Sequence, residues 1–238
     1  MKRLIPLLFI FGNVPVHAQT FDLGTWNVIN LKYNQSKKTS FFAEAQLRSL
    51  KLFDEFHYYE YKAGINYGLS KSVKLTLGAG HYQTFDEGGN FKTPKKNDEF
   101  RIWPQIILLQ QIGSATIEQR YRTEMRWTIN GYRNRFRYRL GVSYPFGNDD
   151  KGYKPFLVSI SNELFFTDRE PYFERNRSQI ALQYKTSKTS TIQLGYLHQF
   201  DYKINDETGR DFFLLGLYLE MNKSKKTSTV SDNEIRDN

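Results

Sequence analysis

The side chains with chemistry to offer are few. Outside the first twenty residues there are three histidines, His57, His81 and His198. In a chain that alternates with period two, His81 and His198 fall on the outward parity near strand ends. They read as interfacial or loop histidines rather than as catalytic ones. Ser159 and Ser161 fall on the opposite parity, so no Ser–His pair is assigned. Glu118, Glu124 and Glu163 are of the right type for a carboxylate pair in hydrolysis. Arginines stand on every side of them, and neighbouring positive charge holds a carboxylate ionised, as a structural partner. Asp86-Glu87 and Asp149-Asp150 are too isolated for calcium. The chain lacks a glycine-rich phosphate loop, an HExxH pair and cysteine. No catalytic residue, metal or cofactor is expected, and the expectation is a protein that is not an enzyme.

What stands out instead is arginine at every second position. From 116 to 126 one parity reads Thr116, Glu118, Arg120, Arg122, Glu124, Arg126, and the other Ile117, Gln119, Tyr121, Thr123, Met125. From 132 to 144 one parity holds Arg133, Arg135, Arg137 and Arg139, and the other Tyr132, Phe136, Tyr138, Leu140 and Val142. Side chains alternate across a strand, so each stretch has one charged and one apolar face. The same pattern places strands at 24–34, 39–50, 57–68, 72–85, 98–109, 114–127, 132–145, 154–167, 173–185, 190–203 and 211–221. Most are longer than the usual strand of about 5–6 residues and match strands tilted across a bilayer. Phe41, Ala43, Ala45 and Leu47, then Val73, Leu75, Leu77 and Ala79, then Phe213, Leu215, Leu217 and Leu219 supply an apolar outer band.

The composition agrees. The 238 residues are 16% aromatic but only 39% hydrophobic, with a net charge of +9. Membrane-spanning helices need about 20 consecutive apolar residues, and a chain this polar does not supply them. A disordered chain lacks aromatic and β-branched residues, which are abundant here. Residues 1–18 read as a secretory signal: Lys2 and Arg3, an apolar stretch from Leu4 to Phe11, and Val16-His17-Ala18 before the cleavage point. Residues 19–221 then form an all-β, antiparallel transmembrane barrel, and 222–238 a polar, disordered tail. Short connections at 34–38, 68–71, 110–113 and 185–189 alternate with longer ones, as short turns and long loops do at the two ends of outer-membrane barrels. Eleven strands are counted, but such barrels have an even number. The expectation is therefore 10 or 12, with 24–34 and the Pro104-containing 98–109 as the weakest.

In such a barrel the charged parity faces the lumen. It contributes Glu44, Arg48, Glu60, Glu99, Glu118, Arg120, Arg122, Glu124, Arg126, Arg133, Arg135, Arg137, Arg139, Glu163, Arg175 and Arg177, with Lys62, Lys74 and Arg101. Two outcomes stay open. Arg and Glu from neighbouring strands pair and plug the lumen, or the excess Arg lines a pore that favours anions. The paired lumen is preferred, because an unpaired buried cluster of like charge is expensive. Arg beside aromatic residues is also a nucleic-acid signature. Export and an inward-facing Arg surface remove that reading, and no nucleic-acid partner is expected.

Several of these residues carry a resemblance. Glu118-Gln119-Arg120, Arg126, the run Asn134-Arg135-Phe136-Arg137-Tyr138-Arg139-Leu140, Pro155-Phe156, Asn162-Glu163, Phe173, Asn176-Arg177 and Leu194-Gly195-Tyr196 resemble the family called domain of unknown function 2490. Trp26, Glu44 and Arg48 also fit. The resemblance implies an outer-membrane β-barrel of the kind found largely in Bacteroidota, and no agreed activity. The function expected is structural, or that of a subunit of an envelope complex, in contact with outer-membrane lipid and other envelope proteins. The alternatives are a small anion-selective, porin-like channel for an acidic solute and, least favoured, a lipid-modifying barrel enzyme.

Overall fold

The computed structural model describes residues 23–148, 154–202 and 207–223. The signal at 1–18, the Asp149-Asp150 pair and the tail from 224 lie outside the described residues. Eleven strands follow in order: β1 Leu23–Asn34, β2 Thr39–Lys51, β3 Asp54–Gly68, β4 Val73–Asp86, β5 Lys92–Ile112, β6 Ala115–Thr128, β7 Gly131–Phe146, β8 Phe156–Thr167, β9 Phe173–Lys185, β10 Ser190–Asp201 and β11 Thr208–Asn222. Consecutive strands pair antiparallel, and the sheet closes on itself through β1 and β11.

That closure corrects the expected even count. With an odd number of up-and-down strands the first and last run the same way. Here they pair in parallel along their whole length, from Leu23↔Asp211 to Asn34↔Asn222. Both strands that looked weak are present. Pro104 is accommodated because the β5–β6 ladder steps from Ile102↔Met125 to Gln105↔Arg122. The ring therefore needs no donor towards β6, while β5 still pairs with β4 through Leu77↔Pro104.

A second correction concerns the loops. At one end the connections are 52–53, 87–91, 129–130, 168–172 and 202–207; at the other they are 35–38, 69–72, 113–114, 147–155 and 186–189. Neither end has the shorter set. The expected loop at 86–97 is mostly strand, because β4 and β5 continue pairing through two bulges to Asp86↔Lys92. Phe91 packs there against Phe85 and Tyr59, with ring centroids 5.3 and 5.9 Å apart.

The faces are those the alternation predicts. Ile29, Phe41, Ile65, Leu77, Ile106, Leu140, Ile160, Ile180 and Leu194 are exposed on the outer wall. The core is the lumen. Trp26, Val28, Ala181, Leu197, Phe212 and Leu214 form one cluster, behind the β1–β11 seam. Tyr58, Tyr82 and Trp103 form another, with Phe42 against it. Gly78 makes the second possible, because any Cβ there would overlap the Trp103 indole.

Candidate functional site: the arginine and glutamate lumen

The wall from β5 to β9 carries a continuous charge network. Its centre is Glu124 on β6, fully buried and shared by four guanidiniums. Arg137 Nη1 lies 2.6 Å from Oε1, and Arg122 Nη1 3.4 Å from it. Arg101 Nη1 and Arg135 Nη1 lie 3.5 and 3.8 Å from Oε2. Glu163 receives two parallel bonds from Arg137, both of 2.9 Å, and a third from Arg120 at 2.5 Å. Glu99 is gripped the same way by Arg101, at 2.8 and 3.0 Å, and by both Nε and Nη2 of Arg126. Planar forks matched to carboxylates make the strongest ion pairs that side chains form. The cross-strand register explains the geometry. Glu124↔Arg135 and Arg126↔Arg133 pair on β6–β7, Arg101↔Arg126 on β5–β6 and Arg139↔Glu163 on β7–β8.

The opposite wall is smaller and separate. Lys62 Nζ sits 2.6 Å from both Glu44 and Glu60. Glu60 also takes the Tyr58 hydroxyl and Arg48 Nη2, the latter at 3.2 Å. The Arg48 guanidinium lies between two rings, 3.4 Å from the Trp26 centroid and 3.9 Å from that of Tyr58. Arg177 lies 4.7 Å from the Trp26 centroid and 4.8 Å from that of Phe165. Such cation–π contacts contribute about 0.5–2 kcal/mol each.

All sixteen site residues named from the sequence face the lumen, but not as one network. Glu118 and Arg139 pair near the 113–114 end, each about 30% exposed. Glu44 and Glu60 serve Lys62 and Arg48 rather than the β6–β7 arginines. Arg177 bonds Gln199 Oε1 at 2.9 Å. Among the described residues neither Arg177 nor Arg133 has a carboxylate within 4 Å.

Two lumen carboxylates escaped sequence reasoning. Glu174 bonds Arg135 through Nε at 2.7 Å and also through Nη2, with Arg126 at 3.6 Å. By parity it belongs outside, but the register shifts between Phe165 and Phe166, so that Phe166 pairs with Phe173 and Phe165 with Arg175. This bulge turns Glu174 and Arg175 both inward. Asp201, the partner of Arg175, shares the lumen parity of Gln193 and Gln199 and closes β10 as its last residue.

A family model described as a protein of unknown function, DUF2490, matches residues 23–210. The chain belongs to this family. The match spans β1 to the start of β11 and so takes in the whole charge network of this DUF2490 barrel. No curated protein matches the chain.

Proposed function

We propose that this DUF2490 protein is an outer-membrane β-barrel, exported by its N-terminal segment, whose lumen is a packed electrostatic core rather than a conduit. Its role is structural or that of a subunit in an envelope complex, and its partners are membrane lipid and other envelope proteins. The closed sheet with an apolar outer wall supports the membrane reading, because a spanning sheet must leave no unpaired edge in lipid. One observation carries the closed lumen: Glu124, Glu99, Trp103 and Phe165 are 0–2% exposed although they point into the barrel. Side chains from several strands therefore cover one another across its interior. The test is reconstitution of the folded barrel into planar bilayers. No steady conductance is expected; a steady anion-selective current refutes the packed lumen.

A second reading has its own support. A cavity of about 1550 Å³ touches residues from Lys38 at one end to Arg169 at the other. Arg133 and Arg177 line it with no carboxylate partner among the described residues. An acidic solute would find positive charge there. Arg135→Ala with Arg137→Ala separates the two readings. A channel loses anion preference, whereas a structural network loses heat resistance.

A further inference from the structure

One guanidinium in the lumen is firmly placed but has no counter-ion. Four of them surround the Phe165 ring, with Cζ 4.5 Å from its centroid for Arg137, 4.8 Å for Arg177, 5.7 Å for Arg135 and 5.8 Å for Arg175. Arg135 pairs with Glu174, Arg137 with Glu163 and Arg175 with Asp201. Arg177 is the fourth, and no carboxylate among the described residues lies within 4 Å of it. Its cross-strand neighbour Glu163 is taken by Arg120 and Arg137. A guanidinium stays charged at any physiological pH, and an enclosed charge is costly without a partner. An anion is what this position lacks.

The group is held for use. Arg177 Nε donates to Gln199 Oε1 at 2.9 Å, and Gln199 Nε2 donates to Asp201 Oδ2 at 2.6 Å. The rings of Trp26 and Phe165 hold the guanidinium from two sides, at 4.7 and 4.8 Å. Nη1 and Nη2 have no hydrogen-bond partner among the described residues, and they are not sealed off from the cavity that Arg177 lines. That end of the planar fork takes a carboxylate with two parallel bonds. The neighbouring positions describe the rest of a ligand. Gln179 is the next lumen position on β9, about 7 Å along the strand, and Ser161 on β8 stands directly opposite it. Both line the same cavity, and neither has a hydrogen-bond partner among the described residues. Gly141 on β7 stands opposite Ser161 and keeps the wall beside the hydroxyl clear, since a Cβ there would be 3.4 Å from Ser161 Cβ. An amide and a hydroxyl both donate and accept without charge. They match hydroxyl groups rather than a second acid or a hydrocarbon.

We propose that the lumen binds a polyhydroxy monocarboxylic acid, its carboxylate on the terminal nitrogens of Arg177 and its hydroxyls along Gln179 and Ser161. Arg48 and Arg175 add positive charge around Arg177, which favours the anion over its neutral analogue. The acid completes a pattern the barrel already uses, since each of the other three guanidiniums around Phe165 has its carboxylate. Binding requires the cavity but no passage through it. The site is therefore compatible with a lumen that carries no current, and it stands or falls separately from both the packed core and the channel.

The experiment is equilibrium dialysis of radiolabelled gluconate against the full-length barrel in detergent micelles and chloride buffer, with folding checked by circular dichroism. Saturable binding is expected. Acetate, which has the charge without the hydroxyls, should compete more weakly than gluconate, and sorbitol, which has the hydroxyls without the charge, should not compete. Arg177→Met and Arg177→Lys should each weaken gluconate binding about 10–100-fold, the scale of charge-assisted hydrogen bonds. The lysine variant separates the fork from charge alone. Ser161→Ala with Gln179→Ala should weaken gluconate while leaving acetate unchanged. Folded barrel that shows no saturable gluconate binding overturns the proposal. So does competition by sorbitol equal to that of gluconate, or gluconate binding unchanged in the folded Arg177 variants or in the folded double variant.

Discussion

Glu124→Gln should be the most damaging isosteric change in the lumen. The substitution keeps volume and shape but removes one negative charge from among four guanidiniums lying 2.6 to 3.8 Å away. At an effective dielectric of about 20, a unit pair at about 4 Å is worth roughly 4 kcal/mol. Four such attractions far exceed what any measured variant loses, because water and neighbouring carboxylates compensate. Arg101 keeps Glu99, Arg135 keeps Glu174 and Arg137 keeps Glu163. Removing one partner of a buried pair costs about 3–5 kcal/mol. For a domain of this size that shifts the unfolding temperature by roughly 6–20 °C, at about 2–4 °C per kcal/mol. The assay is the temperature at which the folded band converts to the unfolded one on electrophoresis in detergent, supported by urea unfolding in micelles. Glu118→Gln is the control. Its pair with Arg139 is about 30% exposed, so a loss of only about 0–1 kcal/mol is expected. If the two variants unfold within a degree or so of each other, the buried network does not hold the barrel.

Two further outcomes follow from the same geometry. Arg177→Met should change the unfolding temperature by no more than about 3 °C in either direction, because relief from the nearby Arg48 and Arg175 charges offsets the lost ring contacts, worth about 0.5–2 kcal/mol. A loss as large as that of Glu124→Gln would mean that Arg177 has an anionic partner other than the described residues. At the 87–91 connection, Glu87 pairs with Arg210 at 2.5 Å, and the guanidinium holds its carboxyl below the ordinary value of 4.5. A lowered folded-state pKa stabilises above the unfolded value and ceases to do so as pH falls through the folded one. Protection of the 87–91 amides, taken relative to the intrinsic exchange rate at each pH, should therefore be higher near pH 6 and decline below about pH 4.5. Arg210→Ala should abolish that difference; a decline that persists in the variant would refute it.

Period two made the strands, their faces and the sixteen lumen charges legible, because an alternating sequence has one self-consistent way to sit in a closed sheet. What it missed lies where the period breaks or where a partner is far away. Glu174 is two residues into β9 and obeys parity in the sequence; only the bulge opposite Phe165 and Phe166 turns it inward. The strand count was also correct as read, and the rule of even numbers misled, because parallel closure leaves no local mark on either strand. His198 shows a different gap. Its outward parity was readable, but its bond to Asp211 depends on the register that β10 and β11 take across the 202–207 connection.

The parallel seam gives a last test of how the barrel is held. A parallel ladder is slightly less stable per residue than an antiparallel one, and this seam joins the two strands most distant in sequence. Its lumen side is the apolar cluster of Trp26, Val28, Ala181, Leu197, Phe212 and Leu214, whereas the charges crowd the antiparallel wall from β5 to β9. Trp26 and Phe212 bridge the seam edge to face, with centroids 5.5 Å apart. The ion pair across the seam, Lys32–Glu220 at 2.9 Å, is exposed near the 35–38 end and worth little, so apolar burial is left as the main side-chain hold on two strands that no turn connects. Phe212→Ala should then cost about 3–5 kcal/mol. Leu215→Ala, on the same strand but on the outer wall, exchanges one outward-facing apolar group for a smaller one and should cost far less. Equal losses would show that the lumen cluster contributes nothing special, and that backbone pairing alone keeps β1 on β11.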